Sequence, residues 1–333
     1  MSDEASPTAE PSTGGKALPT WFYKALLFLA TLFWGFSFFV MKNAVDVVPP
    51  AFLLAFRFFT CGVLMTIIFW KRMRAHFDRG HIGSGAIAGI LMIVAYLFQT
   101  YGIMDTTPGK NAFLTATYCV VVPFIWWAIA RRRPTVFNVV AAFGCVLGIG
   151  LVSMSATDLA PGSALMSRGD ALTLVSALFF AFHIVYVAKV SPGKDIFVLT
   201  AWQFLVAGLL SLAVSLATEP SPASIPITGQ LIWEVTYLTL FASLAALLIQ
   251  NVALTRVPPA PASLIISLES VFGVLFSVMF YGETLTIRVV MGFALIFLAI
   301  LLSEMGGFVA AAIRAKRKSA EPASGEGQES PRP

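Results

Sequence analysis

Long apolar stretches separated by short polar turns run along most of this 333-residue chain. Each stretch has about 20 residues, the length that an α-helix needs to cross a hydrocarbon core of ~30 Å. Ten stretches follow one another, centred near Leu32, Gly62, Ala95, Val121, Cys145, Phe179, Gly208, Leu240, Glu269 and Leu295. The pattern therefore predicts an all-α membrane protein with ten transmembrane helices.

The composition agrees with this prediction. Hydrophobic residues make up 58% of the chain and charged residues only 12%, whereas a soluble domain carries about 25% charged residues. Residues 1–20 are small and polar without an apolar core, so we expect a disordered tail rather than a signal peptide. Residues 314–333 begin with basic residues and continue as a low-complexity tail.

The distribution of lysine and arginine predicts the orientation in the membrane. If both termini are cytoplasmic, the outer segments contain only Lys42, Lys110, Arg168 and Arg288, and the other loop and tail positions with positive charge face the cytoplasm. Cytoplasmic loops of membrane proteins are enriched in these residues. The net charge of +5 is then a topology signal and does not require a nucleic-acid partner.

Two parts of the chain resemble each other. Residues 55–64, "AFRFFTCGVL", align with residues 201–210, "AWQFLVAGLL", sharing four identical residues. At the same offset, residues 30–39, "ATLFWGFSFF", align with residues 176–185, "SALFFAFHIV". The first two helices of one half therefore correspond to the first two helices of the other.

The later helices correspond once a few residues are inserted, because "QTYGI" from Gln99 aligns with "QNVAL" from Gln250. The sequence thus predicts two five-helix repeats, at residues 21–154 and 169–305. Five is an odd number, so the second repeat enters the membrane from the opposite side. Inverted repeats of this kind are typical of carriers that work by alternating access.

Several motifs in this order resemble the EamA family of the drug/metabolite transporter superfamily. They are "FWGFSFF" in the first helix, Arg57 in the second, "GKNAFLTATYCVVVPF" in the fourth, "LESVF" and "FYGE" in the ninth, and "MGFALIFLAILLSE" in the tenth. The resemblance extends from Trp21 to Glu304. In one departure, Ser270 follows Glu269 where the family often has proline, which leaves a break of the helix there an open question.

The resemblance implies a carrier for small metabolites, often an exporter, with a central cavity between the two halves. It also implies the plasma membrane of a bacterium, that is, its inner membrane. A small-molecule substrate and the lipid bilayer are the expected partners, proton coupling and a homodimer remain open, and no bound cofactor is implied. Members of the family carry amino acids, nucleotide-bearing sugars and other solutes, so the substrate is not specified.

The repeat also selects candidate site residues, since equivalent positions of the two halves face the same interface. Four polar pairs arise, namely Ser37 with His183, Arg57 with Gln203, Gln99 with Gln250, and Tyr118 with Glu269. A rise of ~1.5 Å per residue places Glu269, His183 and Ser37 near the middle of the bilayer.

The fourth helix adds a polar face. Asn111, Thr115 and Tyr118 lie at positions i, i+4 and i+7, on one side of an α-helix. Trp34 lies near Ser37 and could stack on a substrate. The candidates for substrate binding or coupling are therefore Glu269, Tyr118, His183, Gln99, Gln250, Ser37, Trp34, Asn111 and Thr115, with Arg57 as a structural or cavity charge.

Glu269 has three alternative roles, because an ionisable residue inside a membrane is a functional candidate by default. It could neutralise Arg57 or Lys42, exchange a proton during transport, or bind a cationic group of the substrate. Arg57 could instead hold its helix through an ion pair or an interhelical hydrogen bond, and His183 could hydrogen-bond a neighbouring helix.

Other classes of function have little support in the sequence. Among three histidines, His76 and His81 fall in a basic loop, and the chain has no HExxH, GxSxG or P-loop motif and no Cys/His cluster, so neither an enzyme nor a metal site is expected. A channel would show a ring of charges or a repeated filter sequence, and the sequence has neither. A receptor or scaffold that transports nothing stays an alternative.

Overall fold

The computed structural model describes residues 19–131, 133–153, 166–257, 262 and 265–320, and across these residues the chain is α-helical without β-strands. Most of the predicted tails at residues 1–20 and 314–333 lies outside the described residues. The α-helices are α1 Thr20–Val45, α2 Pro50–Ile68, α3 Trp70–Ala75, α4 Arg79–Met104, α5 Pro108–Ala116, α6 Tyr118–Ala130, α7 Val136–Ser153, α8 Arg168–Val190, α9 Ile196–Thr218, α10 Gly229–Tyr237, α11 Ala246–Leu254, α12 Leu268–Phe276 and α13 Ile287–Ala320. Short π-helical segments at Leu238–Ala245 and Ser277–Tyr281 follow α10 and α12.

Seven helical segments in the described residues have the length and apolar character needed to cross a membrane. They are Thr20–Val45, Pro50–Ile68, Arg79–Met104, Pro108–Ile129, Arg168–Val190, Ile196–Thr218 and Gly229–Leu254. Three further apolar helices, Val136–Val152, Leu268–Tyr281 and Ile287–Ser303, are shorter. The all-α membrane class is thus confirmed, while the count of ten spans stays a prediction.

Glycines bring helices α2 and α9 into close contact. Gly62 on α2 lies against Leu205, and Gly208 on α9 lies against the backbone of Phe59. Small residues allow such close approach of helix backbones, and the resulting van der Waals contacts are a main source of helix association in membranes. These contacts hold the helices that carry Arg57 and Gln203 side by side.

Two helical segments are each interrupted at a single residue. Thr117 separates α5 from α6, and its hydroxyl donates to the Leu114 carbonyl at 2.6 Å. Ser267 precedes α12, and the Ser270 hydroxyl donates to the Ser267 carbonyl at 2.7 Å. Because such hydroxyl groups compete with the helical ladder and bend the helix, the second break forms although no proline follows Glu269.

Charged side chains fix the beginning of α5 against other helices. Lys110 forms an ion pair with the buried Asp170 of α8 at 2.8 Å. The Glu283 carboxylate, after the second π-helical segment, accepts hydrogen bonds from the Thr107 hydroxyl at 2.5 Å and from the Gly109 backbone N–H at 3.0 Å. The bond from Gly109 satisfies one of the N–H groups that a helix N-terminus leaves open, and together these contacts fix the position of the polar face of α5.

Glu219 caps a helix that has no cap of its own. The N-cap residue of α2 is Pro49, whose side chain cannot accept a hydrogen bond. The Glu219 carboxylate accepts from the backbone N–H groups of Ala51 and Phe52 at 2.7 and 2.9 Å, and from the Tyr101 hydroxyl at 2.7 Å. A carboxylate at this end also interacts favourably with the helix dipole.

Replacing Glu219 by Ala should therefore destabilise the folded protein by about 1–2 kcal/mol, the usual loss for a helix cap. Thermal unfolding in detergent would measure the change. Glu219→Gln is the matched control, since it keeps an acceptor oxygen and should lose less. An unfolding temperature unchanged in Glu219→Ala would contradict the capping role.

Candidate functional site

A central cavity lies among helices α1, α4, α5, α6, α8, α11 and α12. All nine residues predicted to bind or couple substrate line it, namely Trp34, Ser37, Gln99, Asn111, Thr115, Tyr118, His183, Gln250 and Glu269. Both predicted repeats contribute to the lining. The structure thus brings the nine candidates together, while their role in binding stays a prediction.

The cavity is small in this conformation. The space open to the centres of water molecules is about 50 Å³, enough for a few waters, whereas ligand pockets commonly have ~300–1,000 Å³. A metabolite would therefore need the surrounding helices to move apart.

The helix breaks place two of the candidates at the beginnings of half-helices. Tyr118 is the first residue of α6, and Glu269 is the second residue of α12. The Tyr118 hydroxyl lies near the Glu269 carboxyl. Thr117 and Ser267 keep right-handed helical dihedral angles, so the helices continue past these positions and place Tyr118 and Glu269 side by side at the cavity.

The polar face of α5 is held by a hydrogen-bond network. The Asn111 amide donates to the Thr173 hydroxyl of α8 at 2.7 Å, and the Gln99 amide of α4 donates to the Thr115 hydroxyl at 3.1 Å. The Thr173 hydroxyl in turn donates to the Gly169 carbonyl at 2.7 Å. Three helices from both predicted repeats therefore fix the orientation of these side chains.

Three buried polar atoms at the cavity are incompletely satisfied. The Asn111 Oδ1, the Tyr118 Oη and the His183 Nε2 make no hydrogen bond of regular geometry with any residue that the structure describes. Buried polar groups are satisfied in the great majority of cases, so each exception needs an explanation. Their convergence on one cavity is typical of a site that binds water or a polar ligand.

Aromatic side chains form the apolar part of the cavity wall. The Trp34 indole N–H donates to the Ala242 carbonyl at 2.9 Å, which fixes the ring at the cavity. Tyr96 and Phe180 also line the cavity, and their rings pack edge to face with centroids 5.0 Å apart. The Ser37 hydroxyl donates to the Trp34 carbonyl. The cavity therefore combines apolar faces with a few polar groups, as ligand pockets usually do.

Arg57 does not line the cavity. It is 1% exposed, and its Nε and Nη2 donate to the Ser243 hydroxyl at 3.2 and 2.9 Å, while Nη1 contacts the Met41 sulfur at 3.3 Å. Met41 and Tyr96, which contact the guanidinium, both belong to the cavity wall. Arg57 is thus an interhelical hydrogen-bond donor directly behind the cavity.

The structure gives no support to an ion pair of Glu269 with a cation of the chain. Within the described ranges, neither Arg57 nor Lys42 lies within ion-pair distance of the Glu269 carboxyl. Lys42 instead donates to the carbonyls of Ile103 and Met104 at 2.8 and 2.7 Å, at the C-terminus of α4. The geometry therefore favours proton exchange and substrate binding among the three alternatives for Glu269, and its role stays a prediction.

A His/Asp cluster at the beginning of α4 was not expected. Potential metal-ligating atoms of His76, Asp78 and His81 lie within 4.8 Å of one another. However, His81 uses Nδ1 toward Asp78 at 2.6 Å and accepts at Nε2 from the Asp195 backbone N–H at 3.0 Å. Hydrogen bonds from the His81 backbone N–H and side chain lower the pKa of the Asp78 carboxyl.

Positive charges surround this cluster, since Arg72 pairs with Asp195 at 3.1 Å and the Lys194 ammonium reaches the Gly80 carbonyl at 3.2 Å. Positive neighbours oppose the binding of a divalent cation. We therefore assign the cluster a structural role, joining the beginnings of α4 and α9.

The sequence pattern missed several residues of the site. Thr173, Tyr96 and Phe180 hold or line the cavity, but none of them belongs to a polar pair of the repeat. Tyr96 lies three residues before Gln99, on the same face of α4, and this spacing was a signal that could have identified it.

Comparisons with known proteins agree with this architecture. An uncharacterised transporter of Archaeoglobus fulgidus is 30% identical over 84% of each chain. The uncharacterised transporter YoaV of Bacillus subtilis is 25% identical over 80% of this chain and 91% of its own length. The uncharacterised inner membrane transporter YedA of Escherichia coli K12 is 22% identical over 85% of this chain and 90% of its own.

A solved crystal structure matches with a TM-score of 0.61 and covers 90% of this chain and 99% of its own, at 17% identity, which is a likeness of fold alone. The model of the EamA-like transporter family matches twice, at residues 21–154 and 167–305. The chain therefore belongs to the EamA-like transporter family.

Proposed function

We propose that this membrane transporter is a carrier that exports small polar or amphipathic metabolites, such as amino-acid-like solutes, by alternating access around the central cavity. The observation that carries the proposal is the convergence of nine polar or aromatic side chains from both halves on one cavity with unsatisfied polar atoms. The proposal includes ten spans, an inner-membrane location and both termini in the cytoplasm, as the lysine and arginine distribution favours.

Reciprocal contacts support the inverted repeat that this mechanism requires. Phe59 and Leu205 occupy equivalent positions in the internal alignment, as do Gly62 and Gly208. Gly62 packs on Leu205, and Gly208 packs on Phe59. When two related surfaces meet about a two-fold axis, residue i contacts j and j contacts i, which is the arrangement of these four residues.

Two polar contacts follow the same relation. Arg57 reaches Ser243, and its equivalent Gln203 reaches the Met92 sulfur at 2.9 Å. Met92 and Ser243 are separated by the same offset as Gln99 and Gln250. The two helix interruptions at Thr117 and Ser267 also fall within one residue of corresponding positions, and the family model matches each half separately.

The small cavity favours a carrier over a channel. A channel needs a continuous path, whereas a carrier passes through states in which the site is closed. The few waters that fit the cavity correspond to such a closed state. Glu269, which has no ion-pair partner in the described part of the chain, favours a solute with a cationic group or a step coupled to a proton.

Solute counterflow in proteoliposomes tests the proposal. We expect thermal stabilisation by at least one member of a panel of amino acids, amines and nucleosides, and saturable counterflow of that solute when it is labelled. Protein-free liposomes are the control for leakage. Flux that does not saturate would indicate a channel, and the lack of any flux across the panel would favour a receptor or scaffold.

A further inference from the structure

A chain of buried polar side chains leads away from the cavity. His183, at the cavity, lies beside Gln203 of α9. The Asn251 amide of α11 donates to the Gln203 side-chain oxygen at 3.4 Å and to the Thr200 hydroxyl at 2.9 Å. Each of these four residues is at most 1% exposed. We name them the polar chain.

The polar chain extends toward the membrane face at which α9 begins. Thr200 lies four residues after Ile196, the first residue of α9, and thus ~6 Å along the helix axis. Asn251 lies three residues before Leu254, the end of α11, at a similar depth. His183 lies seven residues before Val190, the end of α8, and thus ~10 Å deep, so the polar chain covers about half of the distance between His183 and that face.

Two atoms of the polar chain make no hydrogen bond of regular geometry among the described residues. They are the His183 Nε2, which lies beside Gln203, and the Asn251 Oδ1. Burial of a polar group without a hydrogen bond is unfavourable, and in protein interiors such groups are commonly satisfied by water. A helix interface that only needs to pack gains nothing from these groups, whereas a path that fills with water uses them.

A small apolar cluster lies beside the polar chain and includes Ile196, the first residue of α9. Ala88, Val187, Ile196 and Leu199 are buried together and form a cluster separate from the main core of the protein. They come from helices α4, α8 and α9. We name this cluster the apolar plug, and its four side chains are a thin seal compared with the main core.

On the other side of the cavity, the Asn111–Thr173 hydrogen bond leads toward the Lys110–Asp170 ion pair, whose two charged groups hold each other. The positions equivalent to the polar chain are less polar there. The Met41 sulfur accepts from Arg57 and from the Thr100 hydroxyl at 3.9 Å, and the fully buried Leu54 stands at the position equivalent to Thr200. Apolar atoms thus interrupt the equivalent chain of the first repeat.

We propose that water and polar solute pass between the central cavity and the membrane face at which α9 begins along the polar chain, with the apolar plug as the gate. This inference rests on the proposed function, because it names the route by which the carrier's site opens to one side. Thr200, Gln203 and Asn251 are then residues that line the route and contact the moving solute or its water.

Cysteine labelling in sealed vesicles of both orientations tests the route. A membrane-impermeant, positively charged methanethiosulfonate reacts with thiols that water reaches. The three native cysteines, Cys61, Cys119 and Cys145, are buried, so the wild type gives the background rate. Thr200→Cys and Gln203→Cys report on the polar chain, and Ala201→Cys is the matched control, fully buried at the same depth of α9 but on another face.

We expect Thr200→Cys to react ~10-fold or more faster than Ala201→Cys, because thiol reactivity depends on access, and only when the reagent contacts the face at which α9 begins. Gln203→Cys, farther from that face, should react more slowly than Thr200→Cys and faster than Ala201→Cys. Adding Leu199→Ala should open the apolar plug and accelerate labelling of Thr200→Cys. Variants are compared only if their elution volume in size-exclusion chromatography and their unfolding temperature match those of the wild type.

Equal rates for Thr200→Cys and Ala201→Cys, or labelling from the opposite face, would overturn the route. If only one of the two reporter variants folds, its rate relative to Ala201→Cys decides in the same way. Labelling does not require transport, so a labelled route without saturable counterflow would reject the carrier and keep the water path. Counterflow without labelling would reject the route and keep the carrier.

Discussion

Replacement of Glu269 by Gln should lower saturable transport driven by a pH gradient, or counterflow of a cationic solute, by ~30-fold or more, the effect of losing ~2 kcal/mol from a desolvated charge interaction, while the folded yield stays near that of the wild type. Glutamine keeps the shape and the hydrogen-bonding capacity of glutamate and removes its charge. The expectation of normal folding follows from the absence of an ion-pair partner for Glu269 in the described residues. Transport driven by a pH gradient, counterflow and thermal unfolding of the same preparation would measure these effects.

Glu234 offers a matched control. It is also a buried carboxylate, but it lies on α10 away from the central cavity, where it accepts a hydrogen bond from the Gln230 amide at 2.9 Å. Glu234→Gln should leave transport unchanged. Wild-type transport in Glu269→Gln would remove Glu269 from the mechanism, and a strong loss of folded protein would restore a structural role.

The pH dependence of Glu269→Gln separates the two remaining roles. If the carboxyl exchanges a proton during transport, the variant should lose transport driven by a pH gradient and keep substrate exchange, because binding and alternation no longer require titration. If the carboxylate binds a cationic group, the variant should lose affinity for cationic solutes at every pH. Measurement of exchange with and without a gradient distinguishes these results.

Replacement of Gly208 by Ala should destabilise the protein by about 1–3 kcal/mol, the usual effect of overpacking a tight interface. A methyl group at Gly208 would lie 2.7 Å from the Phe59 Cα, closer than atoms in contact allow. Backbone atoms on both sides prevent relaxation by a side-chain rotation, so α2 and α9 must move apart. Thermal unfolding in detergent would measure the loss, and Gly208→Val should be worse.

Gly83→Ala is the matched control for this prediction. Gly83 also lies in a membrane-length helix, α4, but a methyl group there has open space around it. Alanine favours a helix over glycine by ~1 kcal/mol, so this variant should be as stable as the wild type or more stable. Equal stability of Gly208→Ala and Gly83→Ala would show that the contact between α2 and α9 is looser than described.

The internal alignment was sufficient to find most of the candidate site. Pairing of polar positions selected Gln99 with Gln250 and Tyr118 with Glu269, and helical spacing added Asn111 and Thr115. These residues meet because a helix fixes which positions share a face, and equivalent faces of two related halves meet at one interface. The alignment also paired Arg57 with Gln203, yet both lie behind the cavity, since the pairing does not specify depth from the interface.

The partners of individual side chains could not be predicted in the same way. The break before Glu269 occurs without a proline, through a serine bond that many unbroken helices also contain. Glu219 caps α2 from more than 160 residues away in sequence. Such contacts depend on the rotation and offset of helices that are distant in the chain, and a single sequence contains no direct measure of either.

The sequence by itself determined the all-α membrane class and, through its motifs, the resemblance to the EamA family that the comparisons confirmed. The physical reason is that a bilayer imposes a simple rule, since each spanning helix must be apolar over ~20 residues, and this rule is visible in composition along the chain. Only the tertiary structure decided that Glu269 has no cation partner in the described residues, that Arg57 bonds Ser243, and that polar side chains link His183 to Thr200. Those results depend on distances of a few ångströms between helices. Helix packing determines these distances, and the hydrophobic pattern of the sequence does not specify them.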